Sequence, residues 1–346
     1  PMEYTGGYVN LGRSGLKVSR VAFGCGFRHE PPKDVAVRAI TGAIESGVNF
    51  IDCANIYTIE NKEKSEVALG EALKGRREKA IITSKVGSWV KKDDNGPNGY
   101  GGSRYHILRE VEKSLKRLQT DYIDVYLLHQ PDPTTPEEEI FRAMEKLVQD
   151  GKIRYVGLCN FDAWEIMSGL AMQYKLDASP LICAQNPYNL LNRKLEEEMF
   201  PMARRHGVGI MAYSSLGAGL LGGHYHKGQP TPENSFWNTS PLYRAFYPYL
   251  FNGQVGDVVE KVEELSHKYN VPMSQISAAW VLTHPEVSCI VAGANNYEEF
   301  EDSIAAANLK LEQADVDELN RISEGLRISL TLPDVQKFMA AKGYKI

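Results

Sequence analysis

Residues Tyr122–Asn160 read YIDVYLLHQPDPTTPEEEIFRAMEKLVQDGKIRYVGLCN. The run Tyr122–His129 is short and apolar, as a strand buried on both faces of a parallel sheet must be. Pro136–Gln149 follows, with Ile140, Met144 and Leu147 at four- and three-residue spacing, the period of a helix. Arg154–Asn160 is a second apolar run, so the stretch is one strand–helix–strand unit. Read outward, the same unit recurs. The other strand candidates are Arg20–Cys25, Asn49–Ala54, Ala80–Val86, Leu181–Gln185, Gly209–Ser214 and Ser288–Gly293. The other helix candidates are Lys33–Ser46, Lys64–Lys74, Arg104–Arg117, Ala163–Tyr174, Lys194–His206, Val255–Tyr269 with Ser274–Thr283, and Glu298–Ala307. Strict alternation of this kind predicts an α/β fold, a closed (β/α)8 TIM barrel. An open doubly wound sheet is the alternative, but it calls for a glycine-rich phosphate turn after its first strand. Gly24-Cys25-Gly26 lacks the third glycine at that spacing.

Two regions stand outside the alternation. Tyr8–Ser19 places Arg13-Ser14-Gly15 between short β-prone runs, which predicts an N-terminal hairpin capping the barrel floor. Leu216–Gln254, after strand seven, reads as a long loop rich in glycine and aromatics, a length that usually carries function. No composition shift marks a boundary, so residues 1–346 are expected to form a single barrel domain. Net charge is −5, which argues against nucleic acid held by phosphate neutralisation. No apolar run approaches the roughly 18 residues of a membrane span. Met2–Asn10 has neither the basic start nor the apolar stretch of a secretory signal, so a cytoplasmic location is expected. Cys25, Cys53, Cys159, Cys183 and Cys289 are odd in number and lack CxxC spacing. They read as core thiols in a reducing compartment, not a disulfide framework or zinc site.

In such a barrel the reactive groups stand at the C-terminal ends of the strands. Strand two ends in Asp52-Cys53-Ala54 with Tyr57 just beyond, strand three at Lys85, and strand four at His129. An ammonium beside a phenol favours the phenolate and lowers its pKa, and a carboxylate keeps that ammonium charged and fixed. A histidine can orient a substrate oxygen. The set suits protonation of the oxyanion formed when hydride adds to a carbonyl. Each residue also has a bland reading: Asp52 as a cap or ion-pair partner, Lys85 as a structural barrel lysine, His129 as a satisfied core histidine. Their arrival at successive strand ends is what joins them.

The chain resembles the aldo-keto reductase family. The resemblance runs from Leu11 to about Leu311 and rests on Asn49–Tyr57, Ser65–Leu73, Ile82–Val86, Ser114–Leu118, Asp121–His129, Gly151–Phe161 and Tyr213–Leu221, in that order. The branch it looks most like includes bacterial sugar and aldehyde reductases and the potassium-channel β subunits. The resemblance implies Tyr57 as general acid or base, Lys85 and Asp52 as its tuners and His129 as the group that positions the carbonyl. It implies a nicotinamide cofactor, NAD or NADP. Asn160 and Gln185, beside Cys159, would bind the carboxamide, and Asp52 and Gly26 would lie near it. Tyr213 would stack on the ring, the backbone of Ser214, Ser215, Leu216, Gly217, Gly219 and Leu220 would follow the pyrophosphate, and Gly293, Asn295, Asn296, Glu299 and Ser303 would hold the adenosine end. Apart from the resemblance, Trp89, the aromatic loop Phe236–Phe251 with Trp237, and the tail from Ile328 to Ile346 are expected to wall the substrate pocket.

Three departures stand out. Cys159 occupies a position where the family often has Ser. Thr58–Lys64 is longer than the usual link. Asn296 stands in place of the basic residue for the adenosine 2′-phosphate, and Gly293–Ser303 holds no cation and four carboxylates, which tilts the expectation toward NAD. His224 and His226 have no third ligand nearby in sequence, so no metal is expected. The reading is an oxidoreductase acting on a small carbonyl or sugar, with no nucleic-acid or membrane partner. The alternatives are a cofactor-binding partner subunit with slow chemistry and a barrel isomerase or lyase. A partner subunit would call for a segment dedicated to the partner, and only a few residues precede the hairpin.

Overall fold

Ile123–Leu128 is buried at every position, as a strand covered on both faces requires. The structure, a computed structural model, describes residues 1–88 and 96–345; Trp89 lies outside them. An antiparallel hairpin pairs β1 (Tyr8–Asn10) with β2 (Lys17–Ser19). Among the described residues eight parallel strands then close into a barrel: β3 (Val21–Gly24), β4 (Phe50–Asp52), β5 (Ile81–Val86), β6 (Ile123–Leu128), β7 (Ile153–Cys159), β8 (Cys183–Pro187), β9 (Gly209–Tyr213) and β10 (Val287–Gly293), with β10 beside β3. In chain order the helices between and after them are α1 (Lys33–Glu45), α2 (Ser65–Ala72), α3 (Arg104–Leu118), α4 (Glu137–Gln149), α5 (Ala163–Lys175), α6 (Met199–His206), α7 (Phe236–Thr239), α8 (Pro241–Phe251), α9 (Gln254–Tyr269), α10 (Met273–Val281), α11 (Tyr297–Asn308), α12 (Gln313–Ile322) and α13 (Leu332–Ala341). The TIM-barrel expectation holds.

The chain forms two compact units. One comprises residues 1–186, 198–213 and 285–308, and the other 187–197, 214–284 and 309–346. The first contains the barrel, whose interior packs Ala22, Phe50, Val125, Leu127, Cys183, Met211 and Cys289. The hairpin closes its floor: Leu11 and Val18 are fully buried in that same core, and Arg13 N donates to Gly207 O at 2.7 Å. Gly12 is required there, because a Cβ would stand 2.2 Å from Ile182 O in a backbone with φ +58°. All five cysteines are buried free thiols.

The structure departs from the expected elements in three places. The helix expected over Lys194–His206 is a single 3₁₀ turn at Lys194–Glu196 followed by α6. The break falls at Glu198, at φ −125° and ψ −38°, and Pro201, in the first turn of α6, has no N–H with which to continue the ladder back to Glu197 O. The expected loop Leu216–Gln254 contains α7 and α8, and beyond α11 the chain adds α12 and, within the tail from Ile328, α13. Tyr243, Phe246, Tyr247 and Leu250 sit at three- and four-residue spacing and bury one face of α8, despite Pro248 within it. Within the second unit these segments meet around a cavity of about 370 Å³, lined by Phe246 and Leu250 of α8 and by Ile328 and Phe338. No helix among the described residues is long and apolar enough to cross a membrane.

Candidate active site

Period-two alternation along β5 turns Thr83 and Lys85 to the barrel interior and Ser84 outward. Inside, Lys85 is fully buried. Its Nζ donates to Asp52 Oδ2 at 2.8 Å, to Asp52 Oδ1 at 2.9 Å and to the Cys53 carbonyl at 2.9 Å, and it reaches Tyr57 Oη at 3.3 Å. Asp52 Oδ1 also accepts from Thr83 Oγ1 at 2.5 Å and from Gln185 Nε2 at 3.0 Å. The His129 ring stands edge-on to Tyr57 with centroids 6.0 Å apart. The structure therefore brings Asp52, Tyr57, Lys85 and His129 together. Thr83 was not anticipated, although its i, i+2 relation to Lys85 was the available signal.

The electrostatics correct one expectation. Burial pushes the Tyr57 phenol up to about 12, and the Lys85 ammonium only moderates that rise; Asp52 adds to it. Tyr57 therefore keeps its proton at neutral pH instead of tending to phenolate. Burial works against the Lys85 ammonium, yet Asp52 and Tyr57 together hold its pKa above the ordinary lysine value. Burial lowers His129 to about 4, with Lys85 adding to the effect, so the imidazole is neutral. Its Nδ1 is buried without a hydrogen-bond partner among the described residues.

Asn160 adopts a left-handed backbone at φ +64°, which Asn tolerates better than most residues. That turn lets its Nδ2 donate to the His129 carbonyl at 3.0 Å while its Oδ1 accepts from Tyr213 Oη. Gln185 is buried, and its Nε2 is committed to Asp52. Cys159 is 2% exposed, and burial pushes its thiol up to about 12, which leaves little nucleophilic thiolate. At the β3–β10 edge a Cβ built on Gly26 or Gly293 would meet no atom within 4 Å. Beyond it, Asn295 Oδ1 accepts from His29 N, and Glu299 Oε2 accepts from Asn295 N at 2.9 Å and Nδ2 at 3.2 Å. Asn296 Oδ1 accepts from Glu299 N at 2.8 Å and so caps α11, which also carries Ser303. Arg38 reaches this helix start from α1, but its guanidinium is paired with Glu298 at 2.6 Å.

In the second unit Ser214, Gly217, Ala218 and Gly219 all have positive φ, and Asn189 Nδ2 donates to Ser214 O at 2.9 Å, fixing the turn that carries Ser215, Leu216 and Leu220. Trp237, expected as a wall, is fully buried among Phe236, Tyr243, Phe246 and Tyr247, with its Nε1 donating to Ala218 O at 3.3 Å. Phe236, 55% exposed, and Tyr249, 51% exposed, are rings of this segment that face out. His226 is paired with Glu263 at 3.2 Å.

Comparison with known proteins converges on one family. The family model described as Aldo/keto reductase family matches residues 21–324, spanning parts of both units. The chain is 35% identical over 330 residues to the uncharacterized oxidoreductase YrpG of Bacillus subtilis, covering 94% of this chain and 97% of that protein. It is 33% identical over 312 residues to a probable voltage-gated potassium channel subunit beta of Arabidopsis thaliana, covering 87% and 91%. It is 32% identical over 328 residues to versiconal hemiacetal acetate reductase of Aspergillus parasiticus, covering 88% and 93%.

Proposed function

This chain belongs to the aldo/keto reductase family, and from that premise we propose that it reduces a small aldehyde, ketone or sugar carbonyl with Tyr57 as the proton donor. Nicotinamide-dependent carbonyl reduction is the activity of the family. The observation that carries the finer reading is the buried Lys85 ammonium, which is held by Asp52 and Cys53 O with Tyr57 Oη in reach. The bound nicotinamide would supply hydride to the carbonyl carbon. Tyr57 gives its proton to the carbonyl oxygen, and Lys85 stabilises the phenolate left behind. Because Tyr57 is protonated throughout the neutral range, the acid form is always available for reduction. A neutral His129 donates one ring N–H to the same oxygen and orients it without adding charge. In the reverse direction Tyr57 is the base, and the rate rises with pH.

The residues fit the cofactor. Asn160 and Gln185 place amides at the ends of β7 and β8, held in position by His129 O and Asp52, and Tyr213 places a ring at the end of β9, with the buried Cys159 next to Asn160. The family resemblance assigns the pyrophosphate to the backbone of the Ser214–Leu220 turn, which follows Tyr213 in the chain. Gly26 and Gly293 leave room for close approach of a ligand, and Asn295, Asn296, Glu299 and Ser303 take the adenosine end. Arg38 pairs with Glu298 at the surface and Glu299 is a carboxylate, so Gly293–Ser303 itself offers a 2′-phosphate no cation. This favours use of NAD(H) at least as well as NADP(H).

The likeness to the channel β subunits supports a second reading, a cofactor-binding subunit with slow chemistry. One experiment separates the two: a screen of aldoses, keto-sugars and aldehydes in both directions, with both cofactors, read by nicotinamide absorbance. Turnover of a free carbonyl is the expected result. Cofactor binding without turnover of any of them supports the subunit reading instead.

A further inference from the structure

We propose that Asp132 is a positioning residue for His129: it braces the turn after β6 against the chain that leaves β5 and so fixes where the His129 ring stands. The inference rests on the substrate-orienting role given to His129 above.

Asp132 lies three residues beyond His129, and its carboxylate accepts four hydrogen bonds. Three come from its own turn: Thr134 N at 2.9 Å, Thr134 Oγ1 at 2.6 Å and Thr135 Oγ1 at 2.6 Å. The fourth crosses to the other strand exit, from Gly102 N at 2.8 Å. Gly101 N, one residue away, donates to Gly87 O at 2.8 Å, two residues past Lys85. His129 N in turn donates to Val86 O at 2.7 Å. Hydrogen bonds and short chain links thus form a closed circuit from His129 through Asp132, Gly102, Gly101, Gly87 and Val86 back to His129. On the opposite side Asn160 Nδ2 holds the His129 carbonyl.

Two features show that this contact is built. Gly101 has φ +88°, and a Cβ there would stand 2.6 Å from Asp132 Oδ2, so the carboxylate fills the space a side chain would need. Asp132 also pays for its partial burial through these bonds: burial opposes ionisation, yet Gly102, Thr134 and Thr135 hold it at about 2. The brace is a full carboxylate at any working pH. Thr134 and Thr135 alone would serve a local turn; the Gly102 bond ties that turn to the strand exit that carries Lys85.

The test is a double-mutant cycle on kcat/KM with Asp132→Asn, His129→Gln and the combined variant, using a carbonyl substrate the wild type reduces. Misplacement of about 1 Å can cost on the order of 10²-fold in rate. Asp132→Asn alone is expected to lower kcat/KM on the order of tenfold, with cofactor Kd unchanged, and to have no further effect in the His129→Gln background. Equal losses in both backgrounds, or no loss in the wild type, overturn the brace. If His129→Gln by itself changes nothing, the substrate-orienting role falls, and the brace is judged by amide exchange, which needs no turnover. Asp132→Asn is expected to speed exchange at His129, Gly101 and Gly102 relative to the rest of the barrel, and unchanged protection there overturns it. Should Asp132→Asn fail to fold, Thr135→Val, which removes one of the four donors, is held to the same exchange criterion.

Discussion

Ser84 and Lys85 are neighbours on one strand and face opposite sides of the barrel wall, and each ends at a buried ion pair. Outside, Ser84 Oγ donates to Glu66 Oε2 at 2.8 Å while Arg117 holds Glu66 Oε1 at 2.7 Å. Inside, Lys85 holds Asp52. Both acidic partners are nearly or fully buried, and both pairs are reinforced by a hydroxyl. The difference lies in what else the cation meets. Arg117 is 19% exposed; among the described residues its other hydrogen bond goes to Ser114 of its own helix, and its charge also acts on the buried Tyr126 phenol without bonding it. Lys85 is fully buried and has Tyr57 Oη in reach, next to His129. A buried ion pair is therefore no mark of function in itself. A cation within hydrogen-bond reach of a phenol that stands beside a histidine at the strand ends is one.

The comparison is sharpened most by removing one member of each pair. Lys85→Met should lower turnover on the order of 10²-fold or more, because general acid catalysis carries about 10²–10⁴-fold. It also removes the influence that moderates the rise at Tyr57, so the pH profile of alcohol oxidation should shift toward alkali. Asp52 is left buried and unpaired, which should cost about 3–5 kcal/mol of stability by denaturant melt. Glu66→Gln on the outer face should also destabilise, by less than about 3 kcal/mol because Arg117 still reaches water, but with unchanged turnover. A matching fall in turnover for Glu66→Gln would erase the distinction between the two faces.

A smaller effect is expected in the pH profile of reduction. Burial keeps His129 neutral down to about pH 4, so kcat/KM should show no inflection between pH 5 and 8. An inflection near 6.5 would mean that the ring is solvated and titrates as free histidine does. The smallest effect concerns the adenosine end. The kcat/KM values for NAD(H) and NADP(H) with one substrate should favour NAD(H) or differ little, and Asn296→Arg should move the ratio toward NADP(H). A tenfold or greater wild-type preference for NADP(H) would show that a cation elsewhere takes the phosphate.

Much of this was legible in the sequence because barrel strands announce themselves. Runs such as Tyr122–His129 are apolar throughout, and the rule that strand ends carry chemistry then selects Asp52, Lys85 and His129. The sign of the Tyr57 shift was not legible. A neighbouring lysine is visible in the sequence, but the depth of burial that outweighs it is a property of the fold. Trp237 shows the converse: aromatic content predicted a wall, and only packing shows the ring enclosed by four others. Pro201 and Pro248 show why local rules gave element boundaries unevenly. The first breaks a predicted helix, while the second is tolerated in α8 because Tyr243, Phe246, Tyr247 and Leu250 hold that helix in place. Asp132 gave no signal at all, since its partner Gly102 is thirty residues away in the chain.

The central claim is that the proton given to the carbonyl oxygen comes from Tyr57. Tyr57→Phe removes one hydroxyl and leaves the Lys85–Asp52 pair intact. Steady-state kcat with a substrate from the screen, measured beside cofactor affinity by fluorescence titration, tests it directly. The account predicts a fall of about 10²–10⁴-fold in kcat with cofactor Kd unchanged. A variant that keeps its turnover to within a factor of a few would contradict it and assign the proton to another group.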